Sequence, residues 1–496
     1  MGGQESAEAI VAVLGGEGPN QTKPKKANNM GRKRRKSEVR GQLKFDWTAV
    51  GGLPVAQGGG VEGRRSAAQG SQKPVSECRF GGTETLMEEV ADIGNLKRAW
   101  ERVRANKGSG GVDGESVASF GERAWERLLD MRKRLLGGTY RPSAVRGVEI
   151  PKPSGGVRQL GIPTVEDRIV QQALAQRLVP RYEAVFSESS FGFRPGRGAH
   201  DALKKGAAHV AEGFSVVVDL DLEKFFDRVN HDRLMARLAR DIGDKRVLRL
   251  VRRFLTAGLM KDGVCQRREE GTPQGGPLSP LLANVVLDEL DKELERRGHR
   301  FCRYADDCNI YVRTRKAGER VMEGMRRFIE RKLRLKVNEA KSRVAPSREC
   351  KFLGYTIGGG GRLRVAAKSK ERMKAKLKAL TKRNRGRALG EVIGEVNRFA
   401  AGWLEYFRLA AAKTWLAETE GWLRRRLRCY RLKQCKRRIG VARFLMGCGC
   451  REDRAWMLAM SRKGWYRKSV SPQAKTCMDS EWFRLQGLKP LALPTV

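Results

Sequence analysis

Histidine is scarce in this sequence, and cysteine never occurs as a Cys-x-x-Cys pair. Only four of the 496 residues are His, and none follows His299. Of the ten Cys residues, Cys302 and Cys308 flank an acidic turn, whereas Cys448 and Cys450 are one residue apart. These spacings do not match a zinc site, and they favour free thiols in a reducing compartment.

Long apolar runs and acidic residues are also in short supply. No stretch approaches the ~20 consecutive apolar residues of a membrane span. The 56 Asp and Glu residues are outnumbered by 101 Lys and Arg, which gives a formal net charge of +45 and a pI near 10.5. The positive charge is spread along the whole chain, unlike that of a membrane-surface anchor. The composition therefore favours a nucleic-acid partner and no membrane.

The chain is long enough for about three domains of ~150 residues each, and 40% of it is apolar. Residues 1–80 stand apart, because Lys23 to Lys36 contains eight Lys or Arg and no acid. Such a run cannot bury itself, so we expect a basic, disordered extension. It would serve as a loose RNA-binding arm, with a nuclear address as the alternative. Early acids argue against secretory and transit signals, so we expect a cytoplasmic, nucleoid-associated protein, with an organelle left open.

Two adjacent carboxylates stand out in Tyr304-Ala-Asp-Asp307, between runs 299–303 and 308–312 that have the composition of short strands. The acids would lie at the tip of a hairpin. A third carboxylate, Asp221, belongs to the strand-like run 215–222. If that strand lies beside the hairpin, the three carboxylates meet and repel unless divalent ions neutralise them. Two Mg²⁺ ions roughly 4 Å apart are the usual arrangement for phosphoryl transfer, and a plain Asp-Asp turn is the alternative.

Two flanking motifs decide between these interpretations. Asp221-Leu-Glu-Lys-Phe-Phe-Asp227 and Gly271-Thr-Pro-Gln-Gly-Gly-Pro-Leu-Ser-Pro280, together with Tyr-Ala-Asp-Asp, resemble the palm of reverse transcriptases. The resemblance is greatest to those encoded by group II introns, of the bacterial type that lacks an endonuclease, and it spans roughly Gly110 to Leu445. It implies an α/β right-hand polymerase with fingers and palm, followed by an all-α thumb and maturase domain. The implied catalytic and metal-binding residues, which hold two Mg²⁺ ions, are Asp221, Asp306 and Asp307.

The same resemblance implies a nucleotide site. Lys152 and Arg158 lie on either side of a Gly-rich turn in a predicted hairpin at 148–163, where matching residues of the family contact triphosphates; ordinary surface charges are the alternative. Phe225 would be the steric gate against a 2′-hydroxyl, although an aromatic ring there is more often core. Gln274 would lie over the base and sugar, and Lys341 near the phosphates.

The resemblance also divides the chain. After the extension at 1–80 come N-terminal helices and fingers at 81–215, the palm at 216–360, the thumb and maturase domain at 361–445, and a short basic tail at 446–496 that is a candidate DNA-binding region. Within the fingers, Ser189 to Leu203 matches a family motif in which Arg194 and Arg197 would support primer or template. Phe352-Leu-Gly354 resembles the primer grip.

Beyond the palm, one basic run dominates. Residues 424–438 contain nine Lys or Arg and no acid, which predicts a basic helix. Like charges at this density repel unless a polyanion screens them, so we expect RNA contact, with a solvated face as the alternative. The implicated residues are Arg424, Arg425, Arg426, Arg428, Arg431, Lys433, Lys436, Arg437 and Arg438.

The expected function is that of an RNA-directed DNA polymerase and maturase. It would bind its group II intron RNA, assist splicing and copy the inserted intron during retrohoming, with deoxynucleotide triphosphates, a DNA target and a primer-template as further partners. Without a His after His299, we expect no cleavage of the second DNA strand. The alternatives are a CRISPR-associated or free-standing reverse transcriptase without a maturase role, and a non-enzymatic RNA-binding splicing factor.

Overall fold

The computed structural model describes residues 79–80, 83–151, 157–261, 264–266 and 268–493. The described chain forms two units. The first contains the residues up to 345 apart from 210–213, and the second contains 210–213 and 346–493. The basic run Lys23 to Lys36 and the predicted phosphate contact Lys152 lie outside the described residues.

The first unit combines helices with two four-stranded sheets. Its helices are α1 Leu86–Ala91, α2 Ile93–Ala105, α3 Val117–Glu122, α4 Ala124–Leu136, α5 Val165–Glu183, α6 Ala199–Ala211, α7 Phe225–Arg228, α8 His231–Asp241, α9 Lys245–Thr256, α10 Ser279–Arg296 and α11 Arg315–Phe328. Its strands are β1 Val145–Pro151, β2 Val157–Ile162, β3 Val216–Leu220, β4 Leu259–Lys261, β5 Val264–Gln266, β6 Arg300–Tyr304, β7 Asp307–Val312 and β8 Arg343–Pro346. A π-helical turn, Ile329–Leu333, continues α11.

The two sheets have different strand orders. In one, β2-β1-β4-β5, the predicted hairpin of β1 and β2 is present, with Arg146 paired to Ile162 at one end and Pro151 to Val157 at the other. In the other, β6-β7-β3-β8, the strands β6, β7 and β3 pair antiparallel. This second sheet carries the acidic turn.

Helix α5 forms the centre of the core in the first unit. Its apolar residues Ile169, Leu174 and Leu178 are fully buried, and so are several polar ones. Thr164 caps its N-terminus by accepting a hydrogen bond from the Asp167 amide. A helix buried on nearly all sides is expected when other elements pack around it, and α2 and α10 do so here.

Amphipathic helices close the outside of this core. Helix α9 buries Val247, Leu250, Val251 and Phe254, while its Lys and Arg side chains lie on the opposite face. The Asp244 carboxylate caps it by accepting from the Arg246 amide at 2.8 Å. The apolar spacing of this segment is therefore that of a helix with one buried face.

The second unit is mostly helical. Its helices are α12 Ala367–Leu380, α13 Leu389–Tyr406, α14 Lys413–Gln434, α15 Arg438–Gly447, α16 Glu452–Met460, α17 Trp465–Lys468, α18 Pro472–Cys477 and α19 Ser480–Leu485. A small antiparallel pair, β9 Tyr355–Ile357 and β10 Leu363–Val365, precedes them. Rings of Tyr355, Trp403, Tyr406 and Phe407 pack together beside this pair. No helix in the described part of the chain is long and apolar enough to cross a bilayer.

Helix α8 begins at His231, because Asn230 caps it by accepting a hydrogen bond from the Arg233 amide. One helix prediction needs correction. The predicted basic helix 424–438 is two helices, α14 and α15, separated at Cys435 to Arg437. Lys436 there has φ 56°, a left-handed conformation that no helix interior tolerates. The basic residues at 436–438 therefore lie at a bend.

Candidate active site and RNA-binding surface

The two adjacent acids lie at the tight turn between β6 and β7. Tyr304 pairs with Asp307, so the turn consists of Ala305 and Asp306, and Asp307 is already the first residue of β7. Ala305 has φ 57°, in the left-handed region that residues with a Cβ rarely adopt. Contacts from outside the turn must hold this conformation.

The third predicted acid lies beside this turn. Strand β3 pairs antiparallel with β7 and ends with Leu220 opposite Cys308. The next residue, Asp221, therefore comes level with Asp307. The sequence-based expectation that this strand lies beside the hairpin is confirmed. Asp221, Asp306 and Asp307 are each only 5–6% exposed.

The electrostatics of this corner favour a cation. Burial, and after it the charges of Asp306, Asp219 and Asp221, raise the pKa of Asp307 well above its usual range. Oδ2 of Asp307 is buried and has no hydrogen-bond partner among the described residues. A positive ion would relieve both the repulsion and the lost solvation.

The donor set suits a hard cation, although it is not a closed cage. Carboxylate oxygens are the ligands that Mg²⁺ prefers. Within the described ranges, no group of three or more His, Cys, Asp or Glu side chains is arranged so that it could hold a metal ion by itself. Mg²⁺ is usually held by one or two carboxylates and completed by substrate phosphates and water, so an open set of this kind fits a substrate-completed site.

Residues 336–342 form one wall of the site. The Asn338 amide donates to the Asp221 carbonyl at 2.8 Å, and the Asp221 amide donates to Ser342 Oγ at 3.0 Å. Lys341, a predicted nucleotide contact, immediately precedes Ser342 and is half-buried, and its burial lowers its pKa. The fold thus brings Lys341 into the segment that is bonded to Asp221.

Two other predicted nucleotide contacts bond directly to each other. Arg158 Nε, on β2, donates to Gln274 Oε1 at 2.6 Å. The Gly161 amide on the same strand donates to the Gln274 carbonyl at 2.8 Å. A Cβ on Gly275 would come within 2.7 Å of the Gly161 carbonyl oxygen, so the loop needs glycine where it meets β2.

Phe225 is the first residue of α7, four residues after Asp221. Its ring is 2% exposed and lies 5.1 Å from that of Phe226, edge to face. The Gly271 and Thr272 amides donate to backbone carbonyls at 229 and 226, which fastens the loop that carries Gln274 to this helix. Phe225 is thus four residues from Asp221 in the chain and belongs to the helix that is bonded to this loop, while its burial also agrees with a core role.

The nine predicted RNA-binding residues lie in the second unit, where three are exposed and six are buried or partly buried. Lys436, Arg437 and Arg438 are exposed at the bend between α14 and α15. Arg428 is the clearest contrast, because it is 8% exposed and donates to the Ser469 and Met478 carbonyls at 3.0 and 3.2 Å. Its guanidinium stabilises the packing of the unit and is not presented to solvent.

The remaining five are partly buried and engaged within the unit. Arg425 stacks over the Tyr466 ring and Arg431 over the Phe444 ring, at 3.9 and 4.1 Å from the ring centroids. The others bond to polar neighbours: Arg424 to Glu420, Arg426 to Thr381 and Lys433 to Asn384. Stacked and paired cations of this kind keep donors for a further partner.

Two protein-family models match this chain, one over its middle part and one over the helices that follow. The family of the reverse transcriptase (RNA-dependent DNA polymerase) matches residues 150–357, and the group II intron maturase-specific domain matches residues 370–446. Protein YkfC of Escherichia coli K12 is 33% identical over an alignment of 272 residues, and the match covers 47% of this chain and 71% of YkfC. The chain belongs to the group II intron-encoded reverse transcriptases. It is an RNA-directed DNA polymerase with a maturase domain, as the sequence motifs predicted.

A second relative carries the intron in its name. The group II intron-encoded protein LtrA of Lactococcus lactis subsp. cremoris is 30% identical over 333 residues, and the match covers 52% of this chain and 54% of LtrA. Among solved structures, apo telomerase from Candida tropicalis aligns with a TM-score of 0.39 at 12% identity, over 54% of this chain and 58% of that one. At that score the likeness adds nothing to the assignment.

Sequence reasoning missed several residues around the site of this reverse transcriptase. Asp219 faces the same side of β3 as Asp221, a relation that the two-residue spacing could have revealed. Asn338 through its backbone amide and Ser342 through its hydroxyl bond to the backbone of Asp221, and neither contact leaves a spacing signal. Arg303 bonds both to the acidic turn and to Ser190, which is 113 residues away in the chain, and Gly192 packs against the same turn.

Proposed function

We propose that this chain copies RNA into DNA at the acidic turn and binds its own intron RNA to assist splicing and retrohoming. The observation that carries the proposal is the juxtaposition of Asp221 with Asp306 and Asp307 on neighbouring strands, all nearly buried. Three like charges in this position cost stability unless they serve cation binding. A purely structural hairpin turn has no need of them.

In this proposal Asp221, Asp306 and Asp307 hold two Mg²⁺ ions. Bound there, the ions would lower the pKa of a primer 3′-hydroxyl and neutralise the charge of the pyrophosphate leaving group. The chain's own part is to hold three carboxylates on adjoining strands, so that the hydroxyl and the α-phosphate meet at one place. Two observations support a cation at this position: the raised pKa of Asp307, and an Oδ2 atom without a hydrogen-bond partner among the described residues.

The nucleotide contacts extend from the same corner. Arg158 and Gln274 are already bonded to each other, and Lys341 is in the segment that bonds to Asp221. We propose that Arg158 and Lys341 meet the triphosphate and that Gln274 meets the base and sugar. Phe225 would exclude a 2′-hydroxyl from beneath the sugar. Lys152 keeps its proposed role as a second phosphate contact, although it lies outside the described residues.

The proposed site also suggests how the chain divides into the fingers, palm and thumb of a polymerase. We propose that β1 and β2, within 81–215, belong to the fingers, and that β6-β7-β3-β8 is the palm sheet, within 216–360. Strands β4 and β5 come from the segment 216–360 and extend the sheet of β1 and β2. Residues 361–445 would be the thumb and maturase domain, and 446–496 a region that contacts DNA. Maturase binding of intron RNA would use the exposed cations Lys436, Arg437 and Arg438 first.

The decisive test is primer extension by the full chain. Wild-type protein with an RNA template, a DNA primer, deoxynucleotides and Mg²⁺ should extend the primer, and Asp306→Asn should lose at least about 1,000-fold in rate. Affinity for the intron RNA, measured by filter binding, should stay within a few-fold in the variant. Equal extension by wild type and variant would refute the assignment of the turn.

Primer extension together with a splicing assay on the intron RNA separates the rival functions. A splicing factor with an inactive palm would bind intron RNA but leave the primer unextended. A free-standing reverse transcriptase would extend the primer but would not accelerate splicing of a group II intron. The match of residues 370–446 to the maturase-specific domain favours the maturase over the free-standing enzyme.

A further inference from the structure

A fully buried guanidinium lies directly behind the acidic turn. Arg303, the penultimate residue of β6, is 0% exposed, and so is its partner Asp291 on α10. The pair is bidentate: Arg303 Nε donates to Asp291 Oδ1 at 2.7 Å, and Nη2 donates to Oδ2 at 2.6 Å. Such pairs fix both the position and the plane of the guanidinium.

The remaining three N–H groups of Arg303 are also used. Nη2 donates to Ser190 Oγ at 2.7 Å, and Nη1 donates to Asn284 Oδ1 at 3.0 Å. Nη1 also donates to the carbonyl of Ala305 at 2.8 Å. A guanidinium has five N–H donors, so every one has an acceptor here. The bond to Ala305 is the one that reaches the turn.

That carbonyl belongs to the peptide that joins Ala305 to Asp306. Ala305 is the residue with φ 57°, a conformation that surrounding contacts must hold. A donor fixed on its carbonyl sets the rotation of the Ala305–Asp306 peptide plane and hence the direction in which the Asp306 carboxylate leaves the turn. Asp291 in turn fixes the donor.

The loop at 189–192 supports the same turn from a second side. The Arg303 amide donates to the Ser189 carbonyl at 2.8 Å, and the Phe191 amide donates to the Arg303 carbonyl at 2.9 Å. The Asn284 side chain donates to the Gly192 carbonyl at 2.9 Å. This loop begins the motif for which the sequence predicted primer or template support, and in the structure it contacts the turn.

We propose that Arg303 is a positioning residue for catalysis: through Ala305 it orients Asp306, and its charge is held in place by Asp291. The inference rests on the proposed function, because it assigns a role in that reaction. Arg303 does not touch substrate. Its effect is expected in the turnover number and in the Mg²⁺ requirement, since both depend on where the carboxylates point.

A second buried ion pair provides a matched control. Arg237 on α8 bonds to Asp241 at 3.0 Å and to Asp288 on α10 at 3.4 Å, and its side chain is 12% exposed. It joins the same helix α10 to the core but makes no contact with the turn. Arg237→Lys should therefore disturb packing as Arg303→Lys does, without disturbing the carboxylates.

The experiment measures primer extension by full-length wild type, Arg303→Lys and Arg237→Lys as a function of Mg²⁺ concentration. Rates are expressed per folded molecule, with the folded fraction taken from thermal unfolding. Lysine keeps the charge but cannot reproduce five fixed donors. Arg303→Lys should lower kcat about 100-fold with little change in nucleotide KM, and it should need more Mg²⁺ for half-maximal rate. Arg237→Lys should keep the wild-type Mg²⁺ requirement.

Asn284→Ala gives a second, milder test if Arg303→Lys does not fold. It leaves the Arg303 pair with Asp291 intact and removes one acceptor of Nη1 together with the bond to Gly192. A roughly tenfold fall in kcat with a raised Mg²⁺ requirement is expected.

The outcomes separate the two hypotheses. If Arg303→Lys and Asn284→Ala both keep the wild-type kcat, or both keep the wild-type Mg²⁺ requirement, the positioning role is overturned. Primer extension by the wild type would still uphold the proposed function in that case. A wild type that does not extend the primer overturns both.

Discussion

Gly192 contacts the acidic turn so closely that adding one carbon there should damage catalysis. A Cβ at this position would lie 2.1 Å from the Ala305 amide nitrogen and 2.9 Å from the Tyr304 carbonyl carbon. These are backbone atoms, so no flexible side chain can move out of the way. Gly192→Ala therefore requires the turn or the loop to shift.

The size of that shift follows from the geometry. Ordinary van der Waals contact begins at 3.4 Å, so the Ala305 nitrogen and the new carbon must separate by about 1.3 Å. Misplacement of reacting groups by ~1 Å can cost about 100-fold in rate. Overpacking of a core typically costs about 1–3 kcal/mol of stability. We therefore expect Gly192→Ala to fold, to lose modest stability, and to extend a primer about 100-fold more slowly.

Single-turnover primer extension and thermal unfolding, run on the same preparation, would measure both effects. Gly121→Ala is the matched control, because its Cβ would be 3.5 Å from the nearest atom, on the Trp100 ring. It should extend at the wild-type rate. If folded Gly192→Ala extends within about threefold of wild type, then a shift of ~1 Å in the turn does not matter to catalysis, and the geometric reasoning fails.

Two further variants test the nucleotide and RNA contacts. Phe225→Ala should raise the ratio of ribonucleotide to deoxyribonucleotide incorporation, despite the ~3–5 kcal/mol cost of emptying a buried aromatic site; the ratio is independent of the folded fraction, and an unchanged ratio would make Phe225 core alone. Changing Lys436, Arg437 and Arg438 to Gln should lower the slope of log affinity against log salt for intron RNA by about 0.7–0.9 per lost phosphate contact. The equal-charge control changes three exposed, acid-paired arginines to Gln: Arg296, Arg315 and Arg484. If the two triple variants have the same salt slope, Lys436, Arg437 and Arg438 are not a specific RNA-binding surface.

Much of the active-site corner could be predicted from the sequence because its signals are local. Runs of β-branched and aromatic residues predict β3, β6 and β7, and adjacent acids between two strands predict the turn. The pairing of β3 with β7 entered only as the condition under which Asp221 meets Asp306 and Asp307, and the structure meets that condition. Composition carries the strand information because such residues favour a pleated, half-buried surface.

The supporting contacts could not be predicted, since they join distant parts of the chain. Ser190 and Arg303 are 113 residues apart, and Asp221 and Ser342 are 121 apart. The burial of individual cations in the basic run at 424–438 could not be predicted for a different reason. Residue type does not reveal which cation packs inward, and Arg428 bonds to two carbonyls while Lys436 lies exposed at a bend.

The buried pair of Arg303 with Asp291 also restricts how this protein can evolve. Losing either partner alone leaves an uncompensated charge in the core, at a cost of about 3–5 kcal/mol, which is a large share of a typical domain's stability. Two well-packed apolar residues could replace the pair at little cost to the fold, but only if both codons change together. Each single substitution would first give a less stable protein. We therefore expect this arginine and this aspartate to be replaced together and not singly.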